Sequence, residues 1–227
     1  MAVLAIAFMG CNKEKLITLQ ETSATLHHGE TYELNAKCEN PITYSSADEY
    51  HAQVSADGLV TANYIGNTTI TLQSEEDTKT FSVTVDPVSN LYTEPNITFG
   101  ESKASVIAKL GDPDLEEEGI IGYTYYAAHA PLLAVLFDEY GNVEYYGVYV
   151  DAAYGDELNN IFLEERYKYF TYDEGTYVYI NSLNINTATM IVGSDQDDDG
   201  SWITIYMAYE SKSSRQSAID ALKAFVK

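Results

Sequence analysis

The chain has 227 residues, which is enough for two small domains, and 45% of them are hydrophobic, so each domain could bury a core. It carries 35 acidic residues against 12 Lys and Arg, a formal net charge of −23. Nucleic acids and anionic membrane surfaces are bound through Lys and Arg, so this composition argues against a nucleic-acid partner. It fits either a solvated surface or a docking field for a basic protein.

An uncharged apolar run, residues 2–10, opens the chain and ends at Gly10-Cys11. A membrane-spanning helix needs roughly 20 residues, so the run is too short to span a bilayer but suits the apolar part of a secretory signal peptide. Together with the polar residues 12–15 that follow, it resembles a lipobox, in which the cysteine thiol takes the diacylglyceryl group. The resemblance implies that residues 1–15 are a lipoprotein signal, lipobox and tether, and that a lipid on Cys11 holds the protein in the outer membrane of the cell envelope. Whether the protein faces the periplasm or the outside stays open.

The second cysteine, Cys38, could pair with Cys11 only if Cys11 is not acylated. Cys38 follows a predicted strand, and this position favours a small packing residue over a nucleophile. With a lipidated Cys11, no disulfide is expected.

Residues 16–87 are predicted to form strands only. In 69–72 and 81–85, apolar residues alternate with Ser or Thr, which is the period of two that half-buried strands require. Turn signals such as Ala56-Asp57-Gly58 separate the short runs. The pattern predicts a small β-sandwich.

Four short motifs follow one another in this stretch: Ser45-Ser46, Ala52-Gln53-Val54, Gly58-Leu59-Val60-Thr61-Ala62, and Gly66 with Ile70. In kind and order they resemble the signature of the group 2 bacterial Ig-like domain. In that family the domain serves as a spacer or adhesive module on cell-surface proteins. The resemblance therefore implies display rather than chemistry for residues 16–87.

Residues 91–227, which follow a short linker, combine helix and strand patterns. One helix is predicted at 102–110, with Ser102 as N-cap and Gly111 as the stop. A second is predicted at about 156–169 and a third at the end of the chain. The residues predicted to face inward are Ala104, Ile107 and Leu110 in the first helix, Leu158, Ile161, Phe162 and Tyr169 in the second, and Ile219, Leu222, Phe225 and Val226 in the third. Asn159, Asn160, Glu164 and Arg166 are predicted to face outward.

Six strands are predicted between these helices, at 120–127, 132–138, 142–151, 177–181, 188–194 and 202–210. They divide into two units of about 60 residues, each a helix followed by a three-stranded antiparallel meander. The fold class is therefore multidomain: an all-β Ig-like sandwich, then an α+β domain with helices on one face of an antiparallel sheet.

The start of this second domain carries a motif of its own, with Gly100, Ser102, Val106, Leu110-Gly111 and Pro113 at fixed spacing. It looks like the opening of the β-lactamase-inhibitor-like and small outer-membrane-assembly lipoprotein folds. The resemblance implies that one face of the sheet is covered by helices, that the other is free, and that the domain binds proteins.

Asp195-Gln196-Asp197-Asp198-Asp199-Gly200 reproduces the start of an EF-hand loop, in which alternating carboxylates can meet one calcium ion. The calcium hypothesis rests on Asp195, Asp197 and Asp199. The twelfth position is Tyr206 instead of Glu, and strands flank the motif, so an acidic hairpin tip is the competing interpretation. The sequence contains no Gly-x-Ser-x-Gly motif, and its four histidines are scattered. No catalytic residue is predicted, and calcium is the one cofactor considered.

Sixteen of the 20 tyrosines follow residue 87. Tyrosine is a good strand former, but it also dominates recognition surfaces because it buries a large area at low entropic cost. In strand 142–151, Tyr145 and Tyr149 share one face, while Tyr146, Val148 and Val150 share the other. We predict that Tyr145 and Tyr149 lie on the open face of the sheet and form the binding face.

The leading functional hypothesis is a non-catalytic envelope lipoprotein for adhesion or protein binding. The Ig-like domain would act as spacer and the α+β domain as interaction module. Its partner would be a protein in the envelope or on a host or neighbouring cell surface. A carbohydrate-binding accessory lipoprotein is the alternative, since surface aromatic residues also bind glycans.

Overall fold

The computed structural model describes residues 15–173 and 175–209. Cys11 and the predicted third helix, with Ile219, Leu222, Phe225 and Val226, lie outside the described residues. The chain divides into two compact units, Met1–Asp86 and Pro87–Lys227. Each unit is described by itself.

The described part of the N-terminal unit is built from seven strands, as the alternating pattern predicts. They are β1 Ser23–Leu26, β2 Thr31–Glu33, β3 Thr43–Ser46, β4 Ala52–Val54, β5 Leu59–Ala62, β6 Gly66–Gln73 and β7 Thr78–Val85. One sheet has the order β1-β7-β6-β3 and the other the order β2-β5-β4. Only the β1–β7 pair is parallel among these strands. Inward-facing apolar residues of both sheets, including Val60, Ile70 and Phe81, form one core.

The C-terminal unit contains one eight-stranded antiparallel sheet with the order β12-β13-β14-β15-β11-β10-β9-β8. The strands are β8 Leu115–Glu117, β9 Ile120–Ala127, β10 Ala130–Phe137, β11 Val143–Val150, β12 Lys168–Asp173, β13 Thr176–Ile180, β14 Met190–Gln196 and β15 Trp202–Ala208. All six predicted strands are present, and β9 has the predicted bounds. The two edge strands, β8 and β12, are additional. Each of the two predicted repeats therefore contains a four-stranded meander, not the expected three-stranded one. The two meanders join where β11 pairs with β15.

Helix α1, Lys103–Leu110, confirms the first predicted helix and both of its ends. The Ser102 hydroxyl accepts a hydrogen bond from the Ser105 backbone N–H at 3.3 Å, and Gly111 takes a φ of 93° just beyond the last turn. Ile107 and Leu110 pack against the core as predicted, but Ala104 is exposed, and Val106, which was not predicted to face inward, is fully buried.

The second predicted helix, 156–169, is much shorter than expected. A 3-10 turn, Ala152–Tyr154, leads into the single turn α2, Gly155–Glu157, which continues as a π turn, Leu158–Phe162. There the Leu163 N–H donates to the Leu158 carbonyl five residues back, at 2.9 Å. The widened turn shifts the helical phase. Leu158 and Phe162 are buried as predicted, but Ile161 is 40% exposed and Asn159 is buried.

Tyr169, expected on the inner face of that helix, lies in strand β12 and is 44% exposed. A further 3-10 turn, Ile185–Thr187, precedes β14. No helix within residues 15–173 and 175–209 combines the length and the apolar character that crossing a membrane requires.

Candidate functional site

The two faces of the eight-stranded sheet each carry a separate apolar cluster. On one face Val148, Val150 and Tyr146 of β11 pack with Val106 of α1 and Phe162 of the π turn. The other face, here called the second face, carries a cluster that includes Tyr145 and Tyr149.

Tyr145 and Tyr149 thus share one face of β11 and Tyr146, Val148 and Val150 the other, as predicted. The prediction that the second face is exposed to solvent is wrong. Tyr145 is 7% exposed and Tyr149 is 4% exposed. The physical reason is visible in β10, where residues 132–137 form a continuous apolar run. A strand that is buried on both faces has this composition.

Many of the tyrosines of this unit are buried in its core. The hydroxyls of Tyr92 and Tyr206 lie 2.8 Å apart, and Tyr167 donates to the Glu94 carboxylate. Burial and the charge of Glu94 raise the pKa of Tyr126 to about 12. Buried hydroxyls need such partners, so these residues satisfy one another within a polar network in the interior. The abundance of tyrosine is therefore not by itself the mark of a binding surface.

Among the described tyrosines, Tyr125 is the most exposed, at 93%. It lies at a bulge where Tyr125 and Tyr126 of β9 together oppose the single residue Pro131 of β10. Pro131 has no N–H and cannot complete the hydrogen-bond ladder, which favours a bulge at this point. The bulge lets Tyr126 reach the Thr93 carbonyl on the helix-covered face and turns Tyr125 outward.

The backbone of Tyr125 has a φ of 56°, in the left-handed region that favours glycine. Residues held in sparsely populated backbone conformations cluster at functional sites. We therefore treat the surroundings of Tyr125 as the candidate site.

A cavity of about 500 Å³ lies beside Tyr125 on the second face. Its lining is mostly apolar and comes from five separate segments of the unit: Leu115, Thr124, Tyr125, Pro131, Leu132, Tyr149, Asp199 and Ser201. Thr124, Leu132 and Tyr149 are neighbours in the β9–β10–β11 register. The Thr124 N–H and hydroxyl donate to the Asp114 carboxylate at 2.7 and 3.0 Å, which holds the segment before β8 against this end of the sheet.

The negative charge of the cavity comes from the hairpin tip between β14 and β15. The Ser201 N–H donates to the Asp199 carboxylate at 2.8 Å, and this bond lowers the pKa of Asp199. Burial, together with the charges of Asp197 and Asp199, raises the pKa of Tyr149. The cavity therefore combines an apolar floor, a neutral tyrosine and an ionised carboxylate at its rim.

The three aspartates of the calcium hypothesis do not form a metal-binding group. Among residues 15–173 and 175–209, no set of three His, Cys, Asp or Glu side chains is placed to hold a metal ion. Asp197 and Asp199 instead accept hydrogen bonds from backbone N–H groups within the turn, and the turn closes a regular hairpin whose last pair is Gln196 with Trp202. In the structure these residues form the acidic tip of a hairpin.

Among the predicted site residues that the structure describes, Tyr149 and Asp199 meet at the cavity, whereas Asp195 and Asp197 do not line it. Tyr149 forms part of its floor and Asp199 part of its rim, although different arguments selected them. Tyr145 lies elsewhere on the second face. Tyr125 was not among the predicted site residues. Its signal in the sequence is the adjacent pair Tyr125-Tyr126 near the end of one predicted strand, with Pro131 directly before the next.

In the N-terminal unit, Cys38 is a free thiol that packs against the core, as expected for a small packing residue. Its sulfur lies 3.2 Å from the Lys15 carbonyl oxygen.

Comparison with known families confirms the first resemblance. Residues 12–85 match the family model of the bacterial Ig-like domain (group 2), so the N-terminal unit is a bacterial Ig-like domain. None of the curated proteins matches the chain.

Among solved structures, domains 4–9 of the surface layer protein SbsC are 13% identical with a TM-score of 0.28; the match covers 86% of this chain but only 27% of that one. SbsC domains 4 and 5 are 14% identical with a TM-score of 0.25, covering 85% and 84% of the two chains. A quinonprotein alcohol dehydrogenase-like protein from Bacteroides thetaiotaomicron is 14% identical with a TM-score of 0.25, covering 81% and 66%. All three are distant similarities.

Proposed function

We propose that this protein is a non-catalytic, protein-binding component of the bacterial cell envelope. Its C-terminal unit carries the binding site, and its Ig-like domain serves as the spacer that displays that unit. The observation that carries the proposal is the apolar cavity on the second face, with the exposed ring of Tyr125 beside it and the ionised Asp199 at its rim.

The cavity suits one side chain of a protein partner. Leu132, Pro131 and Leu115 offer an apolar lining, and Tyr125 adds a large flat surface with few rotatable bonds. Asp199 and the neighbouring aspartates of the hairpin tip add negative charge. The matching ligand is an apolar side chain that lies next to a Lys or Arg on the partner.

Asp199 is better suited to recognition than to catalysis. Its pKa is lowered, so it is a weak base, whereas a general base works best with a pKa near the operating pH. The proposal therefore includes the absence of enzymatic activity.

We further propose that Cys11 carries a lipid that anchors the protein in the outer membrane. The basis is the apolar run 2–10 before Gly10-Cys11, together with an Ig-like domain of a kind that acts as a spacer in surface proteins.

Glycan binding is the second candidate, favoured by the exposed Tyr125 ring beside the Asp199 carboxylate and the Ser201 hydroxyl. An aromatic platform with adjacent polar groups can stack on and hydrogen-bond a sugar. The lone tryptophan, Trp202, packs partly buried against the core of the helix-covered face. The platform would therefore be Tyr125.

The experiment places a photo-crosslinking phenylalanine analogue at position 125 in the intact protein and irradiates whole envelopes. A matched variant carries the analogue at Tyr140, which is 80% exposed at the tip of the β10–β11 hairpin. We expect a discrete protein adduct from position 125 and none from position 140. For a partner identified in this way, Tyr125→Ala should weaken binding about tenfold or more, since truncating an aromatic anchor typically costs ~1–2 kcal/mol or more.

Equal adducts from both positions, or none from position 125, would contradict the protein-binding site. Binding of the unmodified protein to a glycan array that is lost in Tyr125→Ala would favour the second candidate.

A further inference from the structure

The two edges of the eight-stranded sheet differ in how they are protected. An edge strand exposes unpaired N–H and C=O groups, and natural proteins usually shield them with charges or short strands. Strand β8 is protected in this way, since it has three residues, two of them glutamates, and Glu118 follows. Strand β12 has six residues, and within the described part of the chain only β13 pairs with it.

Three aromatic side chains are exposed on β12: Tyr169 at 44%, Phe170 at 49% and Tyr172 at 56%. A group of exposed aromatic side chains along one edge strand is unusual in a protein that stays a monomer. The edge therefore points to a partner strand.

A bulge gives β12 an internal symmetry. The register with β13 shifts between Tyr169 and Thr171, so Phe170 is the extra residue of the bulge. Tyr169 is paired with Tyr179 and Tyr172 with Tyr177, and each pair is in ring contact. In a regular strand residues 169 and 172 would face opposite sides. The bulge brings them to the same face.

Without Phe170, the ladder of β12 reads Lys168, Tyr169, Thr171, Tyr172, Asp173, with Thr171 at its centre. Antiparallel pairing with an identical strand around Thr171 places Thr171 opposite Thr171 and Tyr169 opposite Tyr172. Thr–Thr and aromatic pairs are favourable cross-strand combinations. The strand is thus complementary to its own reversed copy.

We propose that β12 is a homodimer interface, in which β12 of one copy pairs antiparallel with β12 of a second copy about a two-fold axis through Thr171. A two-fold interface of this kind uses the same patch on both subunits. The occupant is a second copy of this chain, because the order of tyrosines and threonine on β12 matches its own reversed copy. The dimer forms one continuous sheet and carries two copies of the cavity beside Tyr125.

The dimer is expected to be weak. One pair of short strands buries less than the roughly 1,200–2,000 Å² of a stable interface, so the expected Kd is on the order of micromolar. Each copy has a net charge of −23, and added salt should therefore strengthen association by screening the repulsion.

The test uses a charge swap on the axis, followed by sedimentation velocity over a concentration series. Thr171→Lys and Thr171→Glu each place like charges directly opposite one another, and each should weaken self-association at least about tenfold. An equimolar mixture of the two variants should associate again as a heterodimer, since Lys then lies opposite Glu. Tyr140→Lys, at an exposed position away from β12, is the matched control and should dimerise like the unmodified chain.

Circular dichroism and thermal melting of every variant establish that it is folded. An unmodified chain that stays monomeric throughout the series overturns the proposal. So does a dimer that Thr171→Lys leaves intact, or a mixture of the two charge variants that stays monomeric. A strand from another protein bound to β12 of a monomeric chain would also overturn it.

Discussion

At Gly66, the first residue of β6, the backbone φ is 141°, and an added Cβ would lie 2.2 Å from a carbon of the His51 ring. His51 is held there by the Tyr64 carbonyl, 3.1 Å from its Nδ1. Glycine is therefore favoured at position 66 for two reasons. Other residues rarely adopt this backbone conformation, and the His51 ring lies too close for a Cβ atom.

We expect Gly66→Ala to lower the free energy of unfolding of the N-terminal unit by about 2–4 kcal/mol, from backbone strain and overpacking together. Gly29→Ala is the matched control, because Gly29 also has a positive φ, 79°, but nothing within 4 Å of an added Cβ. Gly29→Ala should cost only about 1 kcal/mol. Chemical denaturation followed by far-UV circular dichroism measures both, and equal losses would show that the contact with His51 does not matter.

At the scale of the strand, β11 is buried on both of its faces. Val148 packs on the helix-covered side and Tyr145 on the second face, and neither is open to solvent. Tyr145→Ala should therefore destabilise the C-terminal unit by about 3–5 kcal/mol, as truncation of a buried aromatic residue does, and Val148→Ala should destabilise it too. On an open face, Tyr145→Ala would instead leave the melting temperature nearly unchanged.

Tyr125→Ala is the control for this comparison, because it removes the same side chain from an exposed position and keeps the same backbone strain. Thermal unfolding of the three variants should rank Tyr145→Ala as much less stable than Tyr125→Ala. The reverse ranking would mean that the second face is not a packed core.

At the scale of the whole molecule, the proposed lipid determines where the protein resides. Changing Cys11 to Ser removes the only atom that could take the diacylglyceryl group, since Cys38 packs against the core of the Ig-like domain. The Cys11→Ser variant should move from the membrane to the soluble fraction. Cys38→Ser, as control, should stay with the membrane. Retention of Cys11→Ser in the membrane pellet after a carbonate wash would show that another feature holds the protein there.

Features that depend on a few neighbouring residues could be read from the sequence alone. The Ig-like motifs of residues 45–70 fall within the matched family model. Helix α1 has Ser102 as its N-cap and ends before Gly111, and β9 has its predicted bounds. Capping, turn formation and strand alternation act over three to five residues, so the local sequence contains the information for them.

The tertiary structure decided the features that depend on residues far apart in the chain. The π turn after α2 set which side chains of 158–163 face inward. Burial of the second face depends on side chains from five strands together. The cavity beside Tyr125 exists because Pro131, on the next strand, interrupts the ladder, and because the hairpin tip with Asp199 comes from the other meander. The alternation of apolar and polar residues along a strand shows that it has two faces, but only the surrounding elements determine which face is exposed to solvent.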